Sequence, residues 1–357
     1  MTKKELLRLY KQVAKEIGFK EDPTHKGWMP KLGPNDFKCK IVHGFTKKGA
    51  VTLTVGPKGV INLKALELAG SYALVEKKLK PCIVLPKVWN VGNYGDRSWI
   101  VRERVDGVNP LKDFPLSSRW ERENIANLYW NILPVFSAVE SEKQPVGDFE
   151  DFFRNRLDKW IELGKSGKSK QNSQKHEIFR TIADNMFRYV FYESDLWESA
   201  DLEMELFFRN FGNTDIVFQN GVYYLPSSEI VLLPEFYGAA YFVWNMLMYS
   251  YDIEDWLVSE DIAKWLAAFS LACPSEVQSR FNMGFHLILF ERVIATLLVD
   301  IPRLLSPFDV KGNEGAVRAQ KAEKVFVGVL KGLLEVIPTL TGNPFKEDFK
   351  ALDKIYK

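Results

Sequence analysis

The sequence predicts an α+β fold in which a small antiparallel sheet precedes a larger, mainly helical body. Three observations predict it. Between Phe37 and Leu66 apolar residues recur at every second position, the period of a strand. Beyond Leu111 they recur at three- and four-residue intervals, the period of a helix. One more pair of short β segments, joined by Asn220-Gly221, interrupts the helical part, and Asn-Gly is the strongest short signal for a type I′ hairpin.

The chain opens with Leu6, Leu7, Tyr10, Val13, Ala14 and Ile17 at helical spacing, an amphipathic helix over 3–18 closed by Gly18. Residues 20–35 interleave Pro23, Pro30 and Pro34 with Gly27 and Gly33, so they read as a linker and the helix before them as an appendage. Phe37, Cys39 and Ile41 then alternate with lysines, and Val51, Leu53 and Val55 with polar residues. Gly56-Pro57-Lys58-Gly59 turns the chain into a strand over 60–65. A helix over 67–78 stops at Pro81, and two more strands, 83–91 and 98–105, flank the turn 93–96. The expected amino-terminal domain, 36–110, is thus a five-stranded sheet plus one helix.

Ser117 to Glu121 resembles a capping box ahead of a helix carrying Ile125, Leu128, Ile132 and Leu133. Helices are expected over 150–163, 176–194, 241–249, 260–272, 276–305 and 320–337. Gly164 to Gln174 is an exposed loop rich in Lys, Ser and Gly. The segments drawn from this pattern are 1–35 (helix and linker), 36–110, 111–340 (helical, with a hairpin within 206–229) and a tail, 341–357.

Composition excludes several functions. Lys and Arg number 48 and Asp and Glu 46, a net charge of +2 spread along the chain, so no nucleic-acid partner is expected. Cys39, Cys82 and Cys273 are few, odd in number and set among apolar residues, which suits a reducing compartment. His25, His43, His176 and His286 show no metal-ligand spacing. The amino terminus is charged from Lys3 and develops no signal-peptide core. The longest uncharged run, Phe236 to Tyr251, falls short of the ~20 residues that span a bilayer. The expectation is a cytoplasmic protein without a membrane partner.

The chemistry-bearing stretch runs from Glu205 to Tyr249: an apolar approach (Leu206 to Phe208), a polar loop (Arg209 to Asp215), the hairpin, a polar exit (Ser227, Ser228, Glu229) and a helix. This layout resembles the aminoglycoside and choline phosphotransferase family, whose pattern is H-G-D-x-x-x-x-N, a hairpin, I-D-W/F-E and then Y-D-L-A. The His falls on Phe208, the Gly on Arg209, the catalytic Asp on Asn210 and the metal-binding Asn on Asp215. The Asp of I-D-W-E falls on Ser227, its Glu is kept as Glu229, and Y-D-L-A corresponds to Tyr237-Gly238-Ala239-Ala240. A second match lies far upstream in the correct order: Pro86-Lys87-Val88, then Trp99-Ile-Val-Arg-Glu103-Arg-Val105-Asp-Gly107-Val-Asn-Pro-Leu111.

The resemblance implies a two-lobed protein-kinase-like fold of the aminoglycoside phosphotransferase type. It implies ATP with Mg²⁺ as cofactors, bound weakly if at all, and a nucleotide or small-molecule ligand in the cleft between lobes. It assigns the phosphate-gripping strand lysine to Lys64, its helix partner to Glu67 or Glu76, and adenine recognition to the backbone of Glu103, Arg104 and Val105. Lys64 also reads as an ordinary solvated lysine. His43 to Ala50 reads either as a loop over phosphates or as a plain hairpin.

Phosphoryl transfer on such a fold needs a carboxylate to take the acceptor proton and a carboxylate plus an amide to hold Mg²⁺. Asn210 cannot do the first, and Ser227 brings no charge to the second. The expected protein is therefore a pseudokinase, altered at its catalytic and metal-binding residues. Asp215 and Glu229 leave open a working ATP-dependent phosphotransferase with a rearranged metal site, acting on a hydroxylated small molecule. A third reading is a scaffold with a protein partner, which would use Phe191, Tyr192, Trp197, Trp256 and Trp265.

Overall fold

The computed structural model describes residues 1–25, 27, 29, 37, 39–58, 83–84, 86–106, 119–137, 149–165, 173–194, 202–208, 211–212, 216–219, 222–224, 230–250, 255–304, 313–337 and 344–356. The chain forms two compact units. The first takes Met1–Pro110 together with Asp215–Ile230, and the second Leu111–Thr214 with Val231–Lys357.

In the first unit, helix α1 (Lys3–Glu16) starts in a capping box: the Glu5 amide donates to the Thr2 hydroxyl and the Thr2 amide to the Glu5 carboxylate. It ends at Gly18, φ 64°, where Phe19 N–H reaches Ala14 O (2.8 Å) and Gly18 N–H reaches Lys15 O (3.4 Å). This is a Schellman closure, and it reverses the chain at once. The helix expected as an appendage is instead part of the core. Leu9 and Val13 pack with Phe19, Val42, Val51, Leu53, Val55, Trp99 and Val101, because the reversal lays the apolar face of α1 on the sheet.

That sheet has five strands in the order β1-β2-β3-β6-β5, all antiparallel: β1 (Lys20–Glu21), β2 (Lys40–Thr46), β3 (Gly49–Pro57), β5 (Val88–Tyr94) and β6 (Arg97–Glu103). The number matches the expectation but the membership does not. An edge strand comes from the presumed linker, β4 (Ile83–Val84) pairs elsewhere, and the expected strand 60–65 and helix 67–78 lie outside the described residues. Val51, Leu53 and Val55 are all fully buried on one face, as their alternation requires. Cys39 and Ile100 anchor a smaller cluster.

His43 to Ala50 is a plain hairpin: Thr46 pairs with Gly49, so only Lys47 and Lys48 form the turn. Gly44 lies within β2 and faces β1, where an added Cβ would stand 2.2 Å from Lys20 O and 2.5 Å from Phe19 Cζ. Gly44→Ala is expected to cost about 1–3 kcal/mol, as overpacking does. Denaturant melts followed by far-ultraviolet circular dichroism check it, and an unchanged midpoint would mean that β1 yields freely.

A separate three-stranded sheet, β4-β9-β8, joins the hairpin β8 (Val217–Gln219) and β9 (Val222–Tyr224) to β4, which runs parallel to β9. Gln219 pairs with Val222, the register of a two-residue connection across 220–221.

The second unit is helical: α2 (Arg119–Ser137), α3 (Phe149–Lys165), α4 (Ser173–Arg188), α5 (Tyr237–Ser250), α6 (Asp255–Ala272), α7 (Gln278–Ala295), α8 (Ile301–Leu304), α9 (Asn313–Val336) and α10 (Lys346–Ile355). A two-stranded ribbon, β7 (Met204–Phe208) with β10 (Ile230–Pro234), accompanies them. Single π-helical turns extend α4 over Tyr189–Glu193 and α7 over Thr296–Asp300. Among the described residues, Ser275–Asp300 is the one helical run long and apolar enough to cross a membrane, and 83% of its apolar window is buried inside the protein. The expected tail is in fact α10, held by buried Leu352 and by Asn185, whose amide donates to Asp348 (3.1 Å).

Candidate functional site

In the helical unit, two of the positions named from the motif, Phe208 and Gly238, lie in aromatic packing. Phe208, at the family's His position, is fully buried beside Phe207, with ring centroids 5.7 Å apart. Phe207 also meets Tyr129 (5.2 Å) and Phe211 (5.5 Å). At the Asp of Y-D-L-A the chain has Gly238, where an added Cβ would lie 2.2 Å from Phe207 Cε1. The Phe207 ring therefore occupies the space that a side chain at 238 would need, and the replacements at Phe208 and Gly238 belong to one aromatic core.

Of the residues the sequence assigned to the nucleotide, Glu103, Arg104 and Val105 are described. Glu103 ends β6, and its carboxylate accepts from the Lys87 amide (3.2 Å) while its own amide donates to Lys87 O (2.8 Å). Val105 is half-buried. Lys64, Glu67, Asn210, Asp215, Ser227 and Glu229, and with them Arg209 and Glu76, lie outside the described residues. Among the described residues no group of three His, Cys, Asp or Glu side chains is placed to hold a metal.

Arg104, between Glu103 and Val105, centres a polar cluster that spacing does not reveal. Its side chain is only 7% exposed and reaches Asp22 (2.8 Å) and Asp106 (2.6 Å), with the guanidinium over the Phe45 ring at 5.0 Å. Hydrogen bonds from the Thr24 hydroxyl (2.6 Å) and then from Arg104 hold the Asp22 carboxyl well below the usual carboxylate range. The rings of His25 and His43, distant in sequence, lie 5.8 Å apart here, and burial lowers the His43 pKa. Every charge in this cluster is partnered, so Arg104 ties the end of β6 to the segment after β1.

Two carboxylates stand out in the helical unit, Glu205 half-buried and Glu291 buried. Glu205, on β7, accepts from Phe236 N–H (3.3 Å); burial first, and then Glu235, push its pKa up to about 8. Glu235 is itself paired with Arg280 (3.2 Å). Phe236 has φ 68°, a left-handed conformation costly for a bulky side chain, held by a ring that is 1% exposed. Glu291, on α7, is 1% exposed, accepts from Trp160 Nε1 and pairs with Arg156 (2.9 Å). The signal for it was in the sequence: Glu291-Arg292 are the charges inside the apolar run Phe285 to Val299. Of the aromatics offered for protein contacts, Trp265 is fully buried and Tyr192 is 67% exposed, while Trp197 and the Trp256 side chain lie outside the described residues.

By sequence, no family model and no curated protein matches the chain. By fold it is similar to solved kinases. A microcompartment-associated aminopropanol kinase aligns over 93% of this chain and 99% of its own, at 12% identity and TM-score 0.58. An ethanolamine kinase of Plasmodium vivax aligns over 86% and 84%, at 11% identity and TM-score 0.50. An aminoglycoside phosphotransferase solved with streptomycin and ATP aligns over 89% and 97%, at 11% identity and TM-score 0.49. The chain has the α+β, protein-kinase-like fold of the aminoglycoside phosphotransferase and choline kinase type.

Proposed function

We propose that this protein is a pseudokinase: it keeps the nucleotide-binding frame of its fold and has lost the groups that move a proton and hold Mg²⁺ in the ordinary way. One observation carries the reading. Asn210 stands at the position of the catalytic carboxylate, and an amide does not accept a hydroxyl proton at neutral pH. Ser227 removes a metal-binding charge in the same motif. Two motifs in the correct order and a fold of the same type support the retained frame.

A ligand that binds only the native state stabilises it by about 2.7 kcal/mol at a hundredfold excess over its Kd. Mg-ATP is expected to raise the melting temperature, Lys64→Ala to abolish that rise, and the unsubstituted protein to show no ATP turnover. No shift at millimolar nucleotide would sink the nucleotide frame and leave the scaffold reading. The carboxylates Asp215 and Glu229 favour a second reading, an active phosphotransferase on a hydroxylated small molecule. ATP turnover lost in Asp215→Ala would replace the first reading with that one.

A further inference from the structure

The helical unit gathers two guanidinium groups around the Trp160 ring, of which one pairs with a carboxylate. Arg156 on α3 pairs with Glu291 (2.9 Å) and lies over the rings of Phe152 (5.3 Å), Trp160 (5.4 Å) and Tyr237 (5.7 Å). Arg292 is 8% exposed and lies over Trp244 at 3.9 Å, with Trp160 at 5.8 Å and Tyr241 at 5.9 Å. Trp160 thus lies 5.4 and 5.8 Å from the two cations, and its Nε1–H donates to the same Glu291 oxygen that Arg156 uses. Trp244 is fixed in turn, since its Nε1–H donates to Thr296 Oγ1 (2.8 Å).

Arg292 has no carboxylate partner and no side-chain hydrogen bond among the described residues, and its Nε is enclosed without an acceptor. Aromatic faces attract a guanidinium but supply no acceptor in its plane, so the enclosed Nε–H has no protein acceptor. A buried, unpaired charge is costly. Arginine's fork matches the oxygens of a carboxylate or phosphoryl group.

We propose that Arg292, with Arg156 behind Trp160, forms a binding site for a small oxyanion, a carboxylate or a phosphoryl group received in the plane of the guanidinium. The aromatic walls around Arg292 hold its fork in place, and Glu291 neutralises Arg156 so that one positive charge remains for the ligand. The site is independent of the nucleotide reading, because every residue in it belongs to α3, α5 or α7.

The test titrates the intact protein with inorganic phosphate and, separately, with acetate, at ionic strength held constant with chloride, following tryptophan emission and melting temperature. The expected result is a saturable change with at least one of the two anions, and the anion that gives it identifies the chemistry. Arg292→Lys, which keeps the charge and loses the fork, is expected to weaken binding about tenfold, the loss of one charge-assisted hydrogen bond. Lys64→Ala is expected to leave the response unchanged, which separates this site from any phosphate held with the nucleotide. The absence of a saturable response to either anion in the unsubstituted protein would overturn the proposal, whatever the variants do. So would equal binding by Arg292→Lys, since Arg292 would then be a stacking cation only.

Discussion

Glu291→Gln is expected to destabilise the helical unit by about 3–5 kcal/mol, the range seen when one member of a buried ion pair is removed. The carboxylate is 1% exposed, and its charge is the one that offsets Arg156 among the described residues. Glutamine keeps the shape and an acceptor for Trp160 Nε1–H but leaves the half-buried Arg156 guanidinium without its counter-charge. The loss should come from charge rather than from volume. A double replacement, Arg156→Met with Glu291→Leu, is therefore expected to cost less than Glu291→Gln alone, because well-packed apolar residues can substitute for a buried pair. Urea unfolding followed by tryptophan emission and near-ultraviolet circular dichroism measures both. If the double variant were the less stable of the two, the pair would be favourable in its own right and the uncompensated-charge account would fail.

The second large effect is a pH dependence centred on Glu205. Its folded pKa of about 8 lies above the unfolded value of 4.5, so between those limits the native state holds more protons than the unfolded one. Stability from this group is fully present below about pH 4.5, falls as pH rises, and stops falling above about pH 8. A shift of that size corresponds to a decline of at most about 5 kcal/mol. Glu205→Gln keeps an acceptor for Phe236 N–H and removes the titration, so its stability should exceed that of the unsubstituted protein at pH 9 and approach it at pH 4.5. His43 and His286, whose burial lowers their pKa, act with the opposite sign near pH 6.5. The decisive quantity is therefore the difference between the two proteins at each pH. Parallel curves across that range would show that Glu205 is ionised in the folded state.

The elements that the sequence made legible are those whose burial follows a strict period. Val51, Leu53 and Val55 announced a strand with one wet face, and the long helices α3, α4 and α7 announced themselves through three- and four-residue spacing. The position of α1 was not legible, because it depends on the Schellman reversal at Gly18 and the docking of Phe19, which a run of later prolines disguised as a linker. Strand β1 is too short to carry any period. The kinase-like fold was legible from motif order. The expected catalytic and metal positions depend on residues outside the described part of the chain, whereas Phe208 and Gly238 are described and both pack against the Phe207 ring. The Arg156, Glu291 and Arg292 cluster was only half legible. Two charges in an apolar run could be seen, but Trp160 lies 131 residues from Glu291, and only folding joins them.

The hairpin at Asp215–Ile230 has a consequence for how the protein can be divided. Because it leaves the helical unit, completes the first and returns, the covalent chain passes from one unit to the other three times: after Pro110, after Thr214 and after Ile230. A polypeptide ending at Pro110 lacks β8 and β9 and strips β4 of its ladder partner, so its backbone groups there go unsatisfied. Neither half is a contiguous gene segment. A single nick leaves them tethered by the remaining crossings.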